Sequence, residues 1–170
     1  MKKILTVAVM TALLLTLAAS ALAATGVGAV SSVSVTPATA DKAGSVSVYT
    51  YLCAVTLDDN GVITGVDFDA VQPAGAFDAT GAAAEFNAAP QTKNEIKEGY
   101  GMKAISPIGK EWYEQMEALS AWCVGKTVAE VLAMPLTEGG NPTDADLASG
   151  CTVHINDQLV SLEKAAANAK

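Results

Sequence analysis

The chain has 170 residues, 51% of them hydrophobic, and a formal net charge of −8 at pH 7, with 18 Asp plus Glu against 10 Lys plus Arg. All ten cations are Lys; there is no Arg. That balance excludes the basic patches that nucleic acid phosphates require and disfavours electrostatic docking on anionic lipid. Acidity serves solubility, and equally encounter with basic partners.

Met1-Lys2-Lys3 is a positive start, Ile4 to Leu17 an apolar run, and Ala21-Leu22-Ala23 a small-residue cleavage signal. Residues 1–23 therefore read as a secretory signal peptide. Cleavage after Ala23 leaves 147 residues (170 − 23) with a charge of about −10, eight Lys against 18 acids. No Cys follows the apolar run, so the chain does not read as a lipoprotein. No second long apolar run follows, so the mature chain is expected to span no membrane. The expected location is extracytosolic, in a periplasm or at the cell exterior. The mature length suits a single domain, with 24–44 as a leading strand or linker and 45–170 as the domain.

Ala24 to Gly44 is rich in Ser, Thr, Ala and Gly and spaces Val30, Val33 and Val35 before Pro37. Ser45 to Leu57 is strongly β-prone. Asp58-Asp59-Asn60-Gly61 reads as a hairpin turn, and Val62 to Val71 as the returning strand. On that strand Val62, Val66 and Phe68 are expected on one face, Ile63 and Asp67 on the other. Gln72 to Pro90 reads as a loop, or as a strand pair framing a pocket. Thr92 to Gly99 is expected to form a helical turn with Gly99 as its C-cap.

Ser106-Pro107 has the form of a helix start, a hydroxyl N-cap followed by Pro. The helix carries Trp112, Met116, Leu119 and Cys123 on one face and stops at Gly125. Thr127-x-x-Glu130 is a capping box opening a shorter helix that ends at Pro135. The last helix is expected from Asn156 or Asp157 to Asn168, with Ile155, Leu159, Leu162 and Ala166 on its buried side. These elements predict an α+β domain, a small antiparallel sheet packed with about three to four helices.

The cysteines are Cys53, Cys123 and Cys151. None forms a CxxC pair, so no zinc or thioredoxin-like site is expected. Cys53 and Cys123 read as small core residues. His154 is the single histidine, and no base–nucleophile constellation for a hydrolase is evident. No metal site is expected.

Asp146-Leu147-Ala148-Ser149-Gly150-Cys151-Thr152 resembles the acceptor motif of the FMN-binding domain family, the covalently flavinylated extracytosolic electron-transfer proteins. Asp146, Ser149, Gly150, Thr152 and the apolar Val153 match that pattern. Cys151 stands where Ala is usual, and His154 where a hydroxyl residue is usual. Thr92 to Lys103 and Ser106 to Glu114 also resemble flavin-bearing proteins of this kind, so the similarity covers about Ser45 to Ala169.

The resemblance implies FMN esterified through its phosphate to the Thr152 hydroxyl by a flavin transferase, the maturation partner. Gly150 would let the backbone approach the phosphate closely, and amides near a helix start favour an anion. Asp146 would orient a local turn or help bind the transferase's metal, and Ser149 belongs to the same turn. Cys151 would adjoin the flavin, pair with another Cys, or fill an Ala-sized position. His154 would donate to the phosphate or carry a proton, or stand simply at the surface. Tyr100, between two glycines, would lie against the flavin ring or pack as a loop aromatic. The implied role is a secreted electron carrier rather than an enzyme, working between membrane or extracytosolic redox partners. Two alternatives stay open: a non-redox secreted binding module of the same fold, and a noncovalent FMN binder.

Overall fold

A computed structural model describes residues 23–86 and 90–170; the expected signal peptide, residues 1–23, lies outside the described residues except for Ala23. Strand β1 (Ala24–Thr36) pairs antiparallel with β2 (Gly44–Leu57) along its whole length, from Ala24 opposite Leu57 to Thr36 opposite Ser45. Residues 24–36 are therefore a strand of the sheet rather than a linker. The other edge of β2 is divided. Strand β3 (Ile63–Val71) takes Thr50 to Leu57, and β4 (Ala74–Phe77) takes Gly44 to Ser47, with β5 (Ala83–Phe86) beyond it. The alternation and β-branching that predicted β2 and β3 apply here directly, and the 72–90 segment supplies the strand pair.

The Asp58–Gly61 turn forms as expected. The Asp58 carboxylate accepts from the N–H groups of Asn60 at 2.8 Å and Val62 at 2.9 Å, fixing the turn from within. The Val62 bond leads in holding the Asp58 carboxyl below its ordinary range. The facing of β3 departs from expectation. Thr56 pairs with Gly65 but Leu57 with Ile63, so one extra residue is absorbed at Thr64. This bulge re-aims Ile63 to the core side, and Ile63 and Phe68 are both buried there.

Five α-helices accompany the sheet among the described residues: α1 (Lys93–Ile96), α2 (Trp112–Cys123), α3 (Val128–Leu132), α4 (Ala145–Ala148) and α5 (Asn156–Ala167). The fold is α+β. Helix α2 packs on β3, and α5 packs on β1 and β2. Between them lies the core, built from Cys53, Val55 and Phe68 of the sheet and Met116, Leu119 and Leu162 of the helices. The approach of α5 to β1 is backbone to backbone. A Cβ placed on Gly28 would run into the carbonyl of Ser161, and one on Gly26 into that of Ala165.

Two helix boundaries differ from expectation. Ser106-Pro107 makes a turn rather than a helix start: Gly109 donates to Ser106 O at 3.0 Å and adopts φ +63°, which breaks helical continuity. Helix α2 begins at Trp112, where Glu114 reaches back to the Glu111 N–H at 2.8 Å. Downstream of α1, the left-handed glycine is Gly101 (φ +76°) rather than Gly99, because the chain continues in two 3-10 turns, Lys97–Tyr100 and Met102–Ala104. Helix α1 itself has a capping box between Thr92 and Glu95, and α3 the expected one between Thr127 and Glu130. Gly125 follows α2 at φ +84°, and α5 ends one residue before Asn168.

Candidate functional site

Helix α4 and the turn after it carry the motif. Its N-cap is Asp144, whose carboxylate accepts from the N–H groups of Asp146 at 3.1 Å and Leu147 at 3.0 Å and from Trp122 Nε1 at 3.1 Å. The turn-forming role expected of Asp146 therefore belongs to Asp144. An Asp at N-cap spacing before Ala-Asp-Leu was the sequence signal for it. Asp146 itself is exposed, as is Ser149, whose hydroxyl donates to Asp146 O at 2.8 Å. The helix ends with the N–H groups of Gly150 and Cys151 both on Leu147 O, at 2.9 and 2.8 Å.

Gly150 is buried against α2. A Cβ there would stand 2.8 Å from the Ala118 Cβ, and 3.7 Å from the Lys110 ammonium. This close approach is what a side chain would forbid. Cys151 points into the core and is fully buried; burial pushes its thiol up to about 11. Cys53 and Cys123 are also buried, their thiols pushed up to about 12 by desolvation, and all three cysteines are free.

Thr152 leaves the core half-buried. Its N–H donates to Gln115 Oε1 at 2.9 Å, and its hydroxyl lies 3.3 Å from the same oxygen. Asn141 Nδ2 holds the Thr152 carbonyl at 2.7 Å. Gln115 is fully buried on α2. Its amide nitrogen donates to Ser106 Oγ at 3.3 Å, Lys110 O at 3.2 Å and the Met102 sulfur at 3.6 Å. One side chain thus fixes Thr152 and the loop facing it. Sequence reading passed over Gln115, because a Gln beside Met116 on a helix gives no periodicity signal.

A cavity of about 120 Å³ opens at this point, lined by Met102, Ile105, Ser106, Pro107, Gln115, Thr152 and Val153. Its walls are largely apolar, and Ile105 at its rim is 82% exposed. Met102 is held by the buried carboxylate of Glu111, which accepts from the N–H groups of Met102 at 2.8 Å and Lys103 at 3.1 Å. Thr152 therefore lines this apolar recess while its hydroxyl rests on Gln115. Of the features a phosphoester would need, the site offers a hydroxyl-bearing residue at a recess and the Lys110 ammonium near the preceding turn, whereas the closeness of Gly150 to Ala118 is packing against α2.

His154 is exposed two residues further on. Tyr100 is not among the cavity's lining residues. It belongs to an aromatic cluster around Lys93, a lysine only 5% exposed. The Lys93 ammonium lies 4.3 Å from the Tyr100 ring centre, 4.8 Å from that of Trp112 and 4.9 Å from that of Tyr49, and donates to the Tyr49 hydroxyl at 2.9 Å. Desolvation lowers the Lys93 ammonium from its ordinary value, while the Tyr100 hydroxyl and the Asp69 carboxylate oppose that shift. The packed-aromatic reading of Tyr100 is the one this geometry supports.

No family model matches the chain, and no solved structure matches it. A curated protein, "Chlorophenol reductase" from Desulfitobacterium hafniense, is 42% identical over 74 residues, which is 36% of this chain and 23% of that protein. The chain thus spans less than a quarter of the relative it matches.

Proposed function

We infer that the protein is a secreted carrier of FMN, joined through a phosphoester to the Thr152 hydroxyl by a flavin transferase. It shuttles electrons between membrane or extracytosolic partners and transforms no substrate of its own. The observation that carries this reading is the setting of Thr152: a motif hydroxyl held by Gln115 at the wall of an apolar recess, one residue beyond the Gly150–Cys151 turn. The name of the matched relative is that of a reductase, which supports a redox role.

Each residue has a definable part. Gln115 Oε1 accepts a hydrogen bond from the Thr152 hydroxyl and holds it in place. Gly150 keeps the turn close to α2, and Lys110 offers a positive charge beside it. Exposed Asp146 and Ser149 present the surface a transferase would grip, with Asp146 free to meet its metal. His154 stands within the same segment as a donor to phosphate. FMN, when bound, supplies one- and two-electron chemistry that no side chain here provides. The chain's acidity favours encounter with basic partners.

Cavity size favours the covalent form over noncovalent binding. About 120 Å³ is well below the roughly 300 Å³ at which pockets begin to enclose a drug-sized ligand. A tethered cofactor needs no such enclosure. The test is the intact mass of denatured protein exported from a host with an active transferase. A gain equal to FMN less one water, absent in Thr152→Ala, is expected. An unmodified mass, with a control substrate modified in the same cells, overturns the reading in favour of a non-redox binding module.

A further inference from the structure

Strand β1 is an edge strand, and its free edge is treated differently in its two halves. Thr25 exchanges backbone hydrogen bonds with Lys170, at 3.2 and 3.4 Å. Asn168 Nδ2 donates to Val27 O at 3.1 Å, and Lys164 Nζ to Ala29 O at 2.9 Å. Lys164 of α5 and the residues that follow the helix, Asn168 and Lys170, thereby close the edge from Thr25 to Ala29. These bonds also show that odd-numbered residues of β1 direct their N–H and C=O away from β2. The same conclusion follows from β2, where Val48, opposite Val33, donates outward to Pro73 O at 2.9 Å.

Beyond Ala29 nothing closes the edge among the described residues. Ser31, Val33 and Val35 direct their backbone groups outward, and residues 31–36 are exposed on both faces. Val33 and Val35 are 65% and 60% exposed, each standing opposite a valine of β2, Val48 and Val46. Edge strands are normally blunted by Lys, Pro or a bulge. Here the window has none, and β1 carries no charged residue in a chain of net charge −8.

We propose that this window, Ser31 to Val35, pairs antiparallel with the same window of a second copy, about a two-fold axis at Val33. The register is self-complementary: Val33 faces Val33 of the partner subunit, and Ser31 faces Val35 of the partner subunit. The window also ends where such pairing must end. In that register Ala29 faces Pro37 of the partner subunit. Pro37 has no N–H to offer, and the Ala29 carbonyl is already taken by Lys164. A second copy meets no like charge along this neutral strip, so the contact itself adds no charge repulsion to that between the two acidic chains. Two-fold pairing of one patch with itself is the commonest route to a closed dimer. It joins two sheets into one and continues the valine face across the junction.

The test is sedimentation of the exported chain over a range of concentrations. A monomer–dimer equilibrium is expected for the wild type. Val33→Lys, which sets two ammonium groups face to face at the axis, is expected to weaken dimerisation at least tenfold with unchanged circular dichroism. Val33→Pro removes only an outward N–H, leaves the β1–β2 hydrogen bonds in place, and is expected to do the same. Register is read by oxidative cross-linking. Val33→Cys should give a disulfide dimer much faster than Val35→Cys, because only position 33 meets itself. A wild-type chain that stays monomeric at high micromolar concentration overturns the proposal and leaves the edge to a strand of another protein. Equal cross-linking at positions 33 and 35, or dimerisation unaffected by Val33→Lys, overturns it as well. None of these outcomes depends on flavin.

Discussion

The amide oxygen of Gln115 takes two groups from a single residue, the N–H of Thr152 at 2.9 Å and its hydroxyl at 3.3 Å. The two lie 37 positions apart in sequence. The contact exists because α2 and the turn after α4 share the face of the core that ends at Cys151. It gives the candidate site a fixed geometry.

Replacing Gln115 by Leu keeps much of the volume but leaves the Thr152 N–H and the Lys110 carbonyl without this partner, and the Ser106 hydroxyl with only the Lys110 N–H at 3.4 Å. Each such loss costs about 1–3 kcal/mol when the group is out of water. Because these groups are only partly buried, a net loss of about 2–3 kcal/mol is expected, read as a lower urea midpoint at unchanged slope. An unchanged midpoint would show that water replaces Gln115 freely.

Gly150→Ala places a Cβ 2.8 Å from that of Ala118. Overpacking of this kind costs about 1–3 kcal/mol. Ala118→Gly removes the obstructing methyl, so the double variant should recover about 1 kcal/mol or more relative to the sum of the singles. Additive effects in the cycle would disprove the contact.

The three thiols should be silent to alkylation in the native protein at neutral pH and all react after denaturation. Desolvation pushes Cys53 and Cys123 up to about 12 and Cys151 up to about 11, from a reference of 9.0. The sign follows from proton counting. Above pH 9 the unfolded chain releases thiol protons that the folded chain retains, so unfolding gains free energy as pH rises. The thiol contribution is complete below pH 9 and is lost as pH climbs through 11–12. Tyr49, Tyr51 and Tyr113, raised as well, act in the same sense as the thiols, while Lys93 and Tyr100, both lowered, act in the opposite sense and are outnumbered. Denaturation midpoints should therefore fall steadily above pH 9, and a flat profile would refute the account.

Gly28→Ala drives a methyl into the carbonyl of Ser161. A backbone atom of a helix cannot rotate aside as a side chain can, so β1 and α5 must separate. A loss of about 3 kcal/mol or more is expected. Exposed Ala29→Ser on the same strand should stay within about 0.5 kcal/mol, and calorimetry distinguishes the two.

Much of the architecture was legible in residue order. The β-branched runs around Cys53 and Phe68, the Asp58–Gly61 turn, the Thr127 capping box and the α5 stripe all form where local chemistry says they should. The start of α2 was misread because Ser106-Pro107 carries a genuine capping signature. It is overridden by Gly109 and by the need of buried Glu111 to meet the Met102 and Lys103 amides. Ile63 was assigned to the wrong face because a bulge leaves no mark on periodicity.

At the site, sequence order singled out Thr152 and Gly150 through a short motif. It assigned the turn to Asp146, two positions from the residue that caps it, and it could not name Gln115. What the sequence by itself determined is local: which segments are strands or helices, the absence of a second long apolar run, and a hydroxyl-bearing turn of a particular composition. Only the tertiary structure decided which buried amide holds Thr152, that Tyr100 attends Lys93 rather than the recess, and that half of β1's edge is closed by Lys164 and the residues after α5. Those facts depend on contacts between segments far apart in the chain, and periodicity, propensity and capping are blind to sequence separation.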